Sequence, residues 1–230
     1  MLLSILMPVY NEEARVEQAI TEVLETELPV DFELIIVNDG STDRTREILH
    51  SRDWGANVRL YEHVINQGKG AAVRTALGYA SGEMSAIFDA DLEYDPSDLA
   101  VLLPPLLEGR ANACFGVRAF DGYSSHSFLF VMGNRGVTLA CNIIFNVYVR
   151  DIMTCHKMIR TELFRSLPLR EPGFAIEPEI TARLVQRRER IYEVPVHYRA
   201  RATEEGKKLT AFDGVRVLRT LLRCRFTPTA

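Results

Sequence analysis

The chain has 230 residues, enough for one α/β domain with a full hydrophobic core and too few for two domains and a linker. Hydrophobic residues make up 47%, charged residues 25%, and the formal net charge is −4, an ordinary globular composition that gives no general basic field for nucleic acid. Cys114, Cys141, Cys155 and Cys224 lie far apart, with no CxxC pair and no histidine at zinc-ligand spacing, which argues against a disulfide framework or a zinc site and fits a reducing cytoplasm.

Residues 2–7 are the first predicted strand, entered without the charged head and longer apolar run of a signal peptide, so no export signal is expected there. Val16, Ala19, Ile20, Val23 and Leu24 then recur at helical spacing, residues 32–37 read as a strand, and a helix follows Ser41. Residues 58–63 as strand, 71–80 as helix, 84–88 as strand and a helix opened by Pro96 extend the series. Such β-α alternation predicts an α/β fold with a largely parallel sheet covered by helices on both faces. Ligands of such sheets gather beyond the carboxyl ends of the strands. Further on, residues 128–149 are apolar over much of their length but include Asn134, Arg135, Asn142 and Asn146. A bilayer span needs about 20 mostly apolar residues, and an arginine near its middle costs roughly 2.5 kcal/mol or more. The segment is therefore expected to be a buried helix or one lying on a membrane surface.

The predicted strand ends carry polar groups in sequence. The first ends in Pro8-Val9-Tyr10-Asn11-Glu12-Glu13, the second in Asn38-Asp39-Gly40-Ser41-Thr42-Asp43 and the fourth in Asp89-Ala90-Asp91-Leu92-Glu93. Taken singly, Asp39 and Ser41 read as turn and helix-cap residues. Three such ends together place acidic groups along one edge of the sheet. Asp89 and Asp91 follow an apolar strand, and two like charges so close repel unless a cation lies between them. A hard divalent ion, Mg²⁺ or Mn²⁺, meets that need and can bridge to a diphosphate. The loop Asn66-Gln67-Gly68-Lys69-Gly70 opens a helix and can bring backbone N–H groups and a positive charge toward an anion, although the same residues also make an ordinary loop. It lacks the glycine spacing and the following Ser or Thr of a P-loop.

The ordered set Pro8-Val9-Tyr10-Asn11-Glu12, Asp39-Gly40-Ser41-Thr42-Asp43, Asn66-Gln67-Gly68-Lys69-Gly70 and Asp89-Ala90-Asp91-Leu92-Glu93 resembles the family-2 inverting glycosyltransferases of GT-A fold. It is most similar to their dolichyl-phosphate mannose synthase and polyprenyl-phosphate glycosyltransferase branch. The similarity continues through Gly116-Val117-Arg118, Asp151, Glu179, Glu193-Val194-Pro195-Val196, Arg201 and Glu205-Gly206-Lys207-Lys208. The resemblance implies a single GT-A domain over residues 1–230, with a nucleotide-sugar-binding half (1–118) and an acceptor-binding half (119–230). It implies that Pro8, Val9, Tyr10, Glu12 and Asp39 hold base and ribose, and that Asp89, Ala90 and Asp91 face metal and diphosphate with Lys69 nearby. Arg118, Arg135, Arg201 and Lys207 would serve phosphate groups of acceptor or donor. Glu93 stands where many relatives have glutamine, adding a metal ligand or a base. Cys155-His156 stands where Gly-Phe is common after Asp151, so the resemblance does not define the floor of the sugar pocket.

The implied reaction moves a hexose, with inversion, from a GDP- or UDP-sugar to a polyprenyl or dolichyl phosphate, using Asp91, Glu93, Arg118, Arg135 and Arg201. Metal and cationic groups would stabilise charge on the leaving nucleoside diphosphate while the acceptor oxygen attacks from the opposite face. A lipid monophosphate is already anionic and needs arginines more than a base. A hydroxyl acceptor, soluble or on a glycolipid, needs a base, and Glu93 is the nearest candidate. A non-catalytic sugar-nucleotide-binding module is the alternative from another class. A dinucleotide oxidoreductase is disfavoured because the first strand-to-helix turn has no GxGxxG. Together with the apolar segment 128–149, the arginines place the expected protein in the cytoplasm, peripheral on the inner face of a membrane.

Overall fold

The computed structural model of the chain describes residues 1–118, 128–199 and 211–227. Strand β1 (Leu2–Val9) is buried at every position except Leu2 and Pro8. A strand with apolar groups on both sides belongs in the middle of a sheet covered on both faces. β1 indeed lies between β2 (Asp31–Asn38) and β4 (Met84–Ile87), parallel to each. β3 (Val58–Glu62) continues the parallel set beyond β2. On the other side come β6 (Lys157–Arg160), β5 (Ala113–Arg118) and β7 (Ile191–Val196), giving seven strands in the order β3-β2-β1-β4-β6-β5-β7. Among the described residues only β6 runs against its neighbours.

Side chains of the central strands alternate between two cores. Leu6, Ile35 and Val37 join one, where α3 (Lys69–Tyr79), α5 (Phe128–Phe145), α6 (Thr161–Ser166), α7 (Ile176–Gln186) and α8 (Ala211–Phe226) pack. Leu3, Ile5, Met7, Leu34 and Ile36 join the other, under α1 (Val16–Glu25), α2 (Thr45–His50) and α4 (Asp98–Leu107). The period-2 alternation of β1 and β2 therefore feeds helices on both faces, as expected for this class. Truncating a fully buried Leu6 or Ile36 to alanine is expected to cost about 2–5 kcal/mol through lost burial and an unfilled cavity.

The register brings the strand ends together. Leu6 pairs with Ile87 and Val9 with Asn38, and the alignment continues as Asp39 N donates to Val9 O at 2.8 Å and His63 N to Asn38 O at 2.9 Å. Everything that follows β1, β2 and β4 therefore emerges on one edge of the sheet. The apolar segment forms α5, and among the described residues no helix is long and apolar enough to cross a membrane.

Candidate active site

Two strand-end loops brace one another. Asn11, with φ at 52°, donates its backbone N–H to Ser41 Oγ at 3.0 Å and accepts from Thr42 N at 2.8 Å. Glu12 N donates to Thr45 Oγ1 at 2.9 Å, Glu13 N to Asp43 Oδ2 at 3.2 Å, and Arg44 N to Glu13 Oε2 at 2.9 Å. These residues satisfy backbone groups that neither strand pairing nor helix capping covers. Ser41 thus has the structural part in the turn that was expected of it, while Pro8, Val9, Tyr10 and Glu12 line a cavity of about 370 Å³.

Asp39 is buried at the end of β2 and lines the same cavity. Its carboxylate accepts from Gln67 N at 2.9 Å and Gly68 N at 2.7 Å, and its Oδ1 lies 2.6 Å from His63 Nδ1. It therefore fixes the loop between β3 and α3. Gly40 beneath that loop has φ +66° and no room for a side chain, since a Cβ there would sit 2.5 Å from Ile65 C.

The glycines around Lys69 serve close approach. A Cβ on Gly68 would meet Pro172 O at 2.4 Å, and one on Gly70 would meet Glu171 O at 2.2 Å, so the segment before α7 seats directly on the start of α3. Lys69 projects inward from that point. Its Nζ is 2.7 Å from Asp89 Oδ2, 2.9 Å from Glu177 Oε1 and 3.0 Å from Cys155 Sγ. Lys157 Nζ, fully buried, lies 3.5 Å from the other oxygen of Glu177. Acid and base thus alternate through Asp89, Lys69, Glu177 and Lys157. Burial alone would pull the Lys69 pKa down, but Asp89, Cys155 and Glu177 outweigh it and hold it well above the ordinary lysine value. Lys69 is a fixed cation within the cavity wall.

Asp89, Ala90, Asp91 and Glu93 all line the cavity where the chain leaves β4. Leu92 has φ 61°, a left-handed residue that turns this acidic segment across the sheet edge. Glu93 N donates to Asp91 Oδ1 at 3.1 Å, and Tyr198 donates its hydroxyl to Glu93 Oε2 at 2.9 Å. Two strands away in the sheet, Arg118 closes β5 and lines the cavity too. It is held by two hydrogen bonds to Asp151, from Nε at 2.7 Å and Nη2 at 2.9 Å, and its guanidinium lies 5.1 Å from the Tyr198 ring centroid. Burial opposes its charge, but Tyr94 and Asp151 outweigh burial and keep it protonated.

Of the other residues expected at the site, Arg135 is exposed on α5 and is not among the cavity-lining residues. Arg201 and Lys207 lie outside the described residues. The cavity also includes Asn66 of the loop before α3, and residues that spacing did not point to: Met153, Phe174, Glu177, Tyr198 and Arg216. Glu177 was detectable in principle, as an acid on a helix whose neighbours Ile176 and Ile180 are core residues. Arg216, one of four arginines on α8, carried no such signal. Cys155 and His156 separate in role: Cys155 lines the cavity, whereas His156 is fully buried behind it, stacked on Tyr94 at 4.5 Å, and burial lowers its pKa to about 4. Glu179 is structural, accepting from Arg170 N and Glu171 N and pairing with Arg223.

Among the described residues there is no cluster of three or more metal-ligating side chains. Asp89 and Asp91 nevertheless form a donor set suited to Mg²⁺ or Mn²⁺, which take one or two protein carboxylates and complete their shell with substrate phosphates and water.

Residues 4–167 match Glycosyl transferase family 2. The chain is 29% identical over 195 residues to glycosyltransferase AglJ of Haloferax volcanii, covering 84% of this chain and 62% of that one. It is 24% identical over 229 residues to dolichol-phosphate mannosyltransferase of Pyrococcus furiosus, covering 97% of this chain and 64% of that one. The chain thus spans somewhat under two thirds of the length of these relatives. Glucosyl-3-phosphoglycerate synthase of Mycobacterium tuberculosis, solved with phosphoglyceric acid, superposes with a TM-score of 0.77 at 24% identity, covering 99% of this chain and 81% of that one. The same synthase has been solved with Mn²⁺ and uridine diphosphate. That likeness establishes the GT-A architecture, and with well over half of its residues in the family match the chain belongs to glycosyl transferase family 2.

Proposed function

We propose that the enzyme moves a hexose, with inversion, from a GDP- or UDP-sugar to a polyprenyl phosphate, aided by Mg²⁺ or Mn²⁺. One observation carries this reading: a single cavity joins the acidic end of β4 to Arg118 and Arg216. In this reading Pro8, Val9, Tyr10, Glu12 and Asp39 receive the nucleoside, with the loop that Asp39 anchors closing one side. Asp89 and Asp91 hold the divalent ion, which supplies positive charge to the leaving diphosphate when bound. Lys69, already balanced by Asp89 and Glu177, keeps Asp89 oriented.

The acceptor phosphate faces Arg118 and Arg216. Asp151 uses two of the five guanidinium N–H groups of Arg118 and sets its plane. A planar fork held in this way suits a phosphate that carries its own nucleophilic oxygen and needs no strong base. Arg201 and Lys207 belong to the same proposal from their sequence positions. The similarity to dolichol-phosphate mannosyltransferase supports the lipid acceptor.

Glu93 favours a second reading. A carboxylate lining the cavity and steadied by Tyr198 is placed to take a proton from a hydroxyl, as a soluble phosphorylated acceptor would require. A screen of radiolabelled GDP- and UDP-sugars against polyprenyl phosphate and 3-phosphoglycerate, with Mg²⁺ or Mn²⁺, separates the two. Label in the organic extract supports the lipid acceptor, and label in a water-soluble product supports the second reading. Donor binding by calorimetry without transfer to either would reduce the site to a binding module.

A further inference from the structure

Helices α5 and α8, which cover the core joined by Leu6, Ile35 and Val37, also present apolar side chains to solvent. On α5, Phe128, Met132, Leu139 and Ile143 are 74%, 45%, 59% and 72% exposed. At 3.6 residues per turn their spacing puts them on one stripe. On α8, Val215, Leu218, Leu222 and Phe226 make a second stripe, 65%, 39%, 48% and 80% exposed. The opposite sides of both helices are occupied: Thr138 and Cys141 of α5, and Val217, Leu221 and Cys224 of α8, are buried. α5 and α8 pack against each other, so the two stripes face outward side by side.

Charge at this face contrasts with the rest of the chain. The whole chain has a net charge of −4, yet α5 has no acidic residue and α8 has four arginines against the single Asp213. Arg135 is exposed within the α5 stripe, and Arg216, Arg219 and Arg225 are exposed on α8. Among the described residues, Arg223 is the α8 arginine that pairs with buried acids, Glu171 and Glu179. A second copy of this chain would bring the same arginines face to face, whereas an anionic lipid headgroup layer complements them.

We propose that α5 and α8 together form a docking face for an anionic bilayer surface, with the mouth of the cavity at its edge. Arg216 links the two features, because it lines the cavity and is carried by the same helix as the stripe. Apolar groups enter the headgroup and acyl boundary while the arginines meet lipid phosphates, the mode of an amphipathic helix lying in the interface. Docked this way, the enzyme opens its acceptor side to the layer that holds a polyprenyl phosphate. This orientation rests on the lipid-phosphate reading above, whereas the docking face itself is independent of it.

The experiment is co-sedimentation of the full chain with vesicles of phosphatidylcholine alone or containing 30% phosphatidylglycerol, neither with polyprenol. The wild type is expected to bind the anionic vesicles and to lose binding as salt rises. Arg219→Gln/Arg225→Gln should weaken binding about 25-fold, at roughly fivefold per arginine near an anionic surface. Ile143→Ser/Leu222→Ser should weaken it at least tenfold, with the thermal midpoint unchanged because both side chains are exposed. Wild-type binding by both double variants, or no binding of the wild type to anionic vesicles, overturns the proposal. So does a concentration-dependent dimer that the same substitutions dissociate. Vesicle binding without sugar transfer to polyprenyl phosphate leaves the face standing and removes the acceptor reading instead.

Discussion

Asp151→Asn tests whether the arginine at the end of β5 depends on a single buried partner. Arg118 and Asp151 are each 6% exposed and share two hydrogen bonds of 2.7 and 2.9 Å. Charge-assisted bonds of this kind contribute about 1.5–3 kcal/mol each, and removing one partner of a buried pair costs about 3–5 kcal/mol because the remaining charge is left uncompensated. At about 2–4 °C per kcal/mol for a chain of this size, the melting temperature should fall by roughly 6–20 °C. Differential scanning calorimetry on Asp151→Asn, Arg118→Met and the double variant measures the coupling, and the double variant should recover part of the loss. Transfer should fall in both single variants, since an arginine without its partner no longer presents a fixed plane. A melting temperature within about 1 °C of wild type, or a coupling below about 0.5 kcal/mol, would refute the assigned role.

Gly70→Ala should destabilise the fold by about 1–3 kcal/mol in urea titrations, because its Cβ would lie 2.2 Å from Glu171 O and neither backbone can yield freely. Asp39→Ala removes the acceptor for Gln67 N and Gly68 N, and calorimetry should show donor affinity weakened about tenfold or more as the loop loosens. His156 is neutral in the fold, with its pKa lowered by burial from 6.5 to about 4, so the unfolded chain binds the extra proton first. Its contribution is complete above pH 6.5 and is lost as pH falls toward 4, by about 3 kcal/mol. His156→Phe, which keeps an aromatic ring against Tyr94, should flatten that limb of the stability profile measured by denaturant titration.

The first four strands and the acidic ends of β1, β2 and β4 were legible because buried parallel strands interrupted by polar ends leave a local pattern. β6 left almost none: it has four residues and includes the fully buried Lys157, whose charge reads as exposed until Glu177 and the carbonyls of Ile152 and Thr154 are seen around it. Gly68-Lys69-Gly70 read equally as an anion cradle or a loop. The contact that explains the glycines comes from Glu171 and Pro172, about a hundred residues away, where no local spacing could reveal it. Arg118 was visible through resemblance, but its pairing with Asp151 depends on β5 and the segment before β6 meeting in space. Arg135 was likewise assigned a phosphate role by resemblance, and helix periodicity places it on the exposed face of α5 with Met132 and Leu139.

The central claim is that the edge formed by β1, β2 and β4 is where sugar transfer takes place. Asp91→Asn tests it most directly, because Asp91 lines the cavity, has no place in either core and differs from asparagine by one charge. The measurement is incorporation of labelled sugar from its nucleotide donor into extractable polyprenyl phosphate, for wild type and variant, with Mn²⁺ and with excess chelator. Asp91→Asn should reduce incorporation about a hundredfold or more with an unchanged melting curve, and chelator should do the same to the wild type. Wild-type incorporation by the variant, or full incorporation in chelator, would contradict the account.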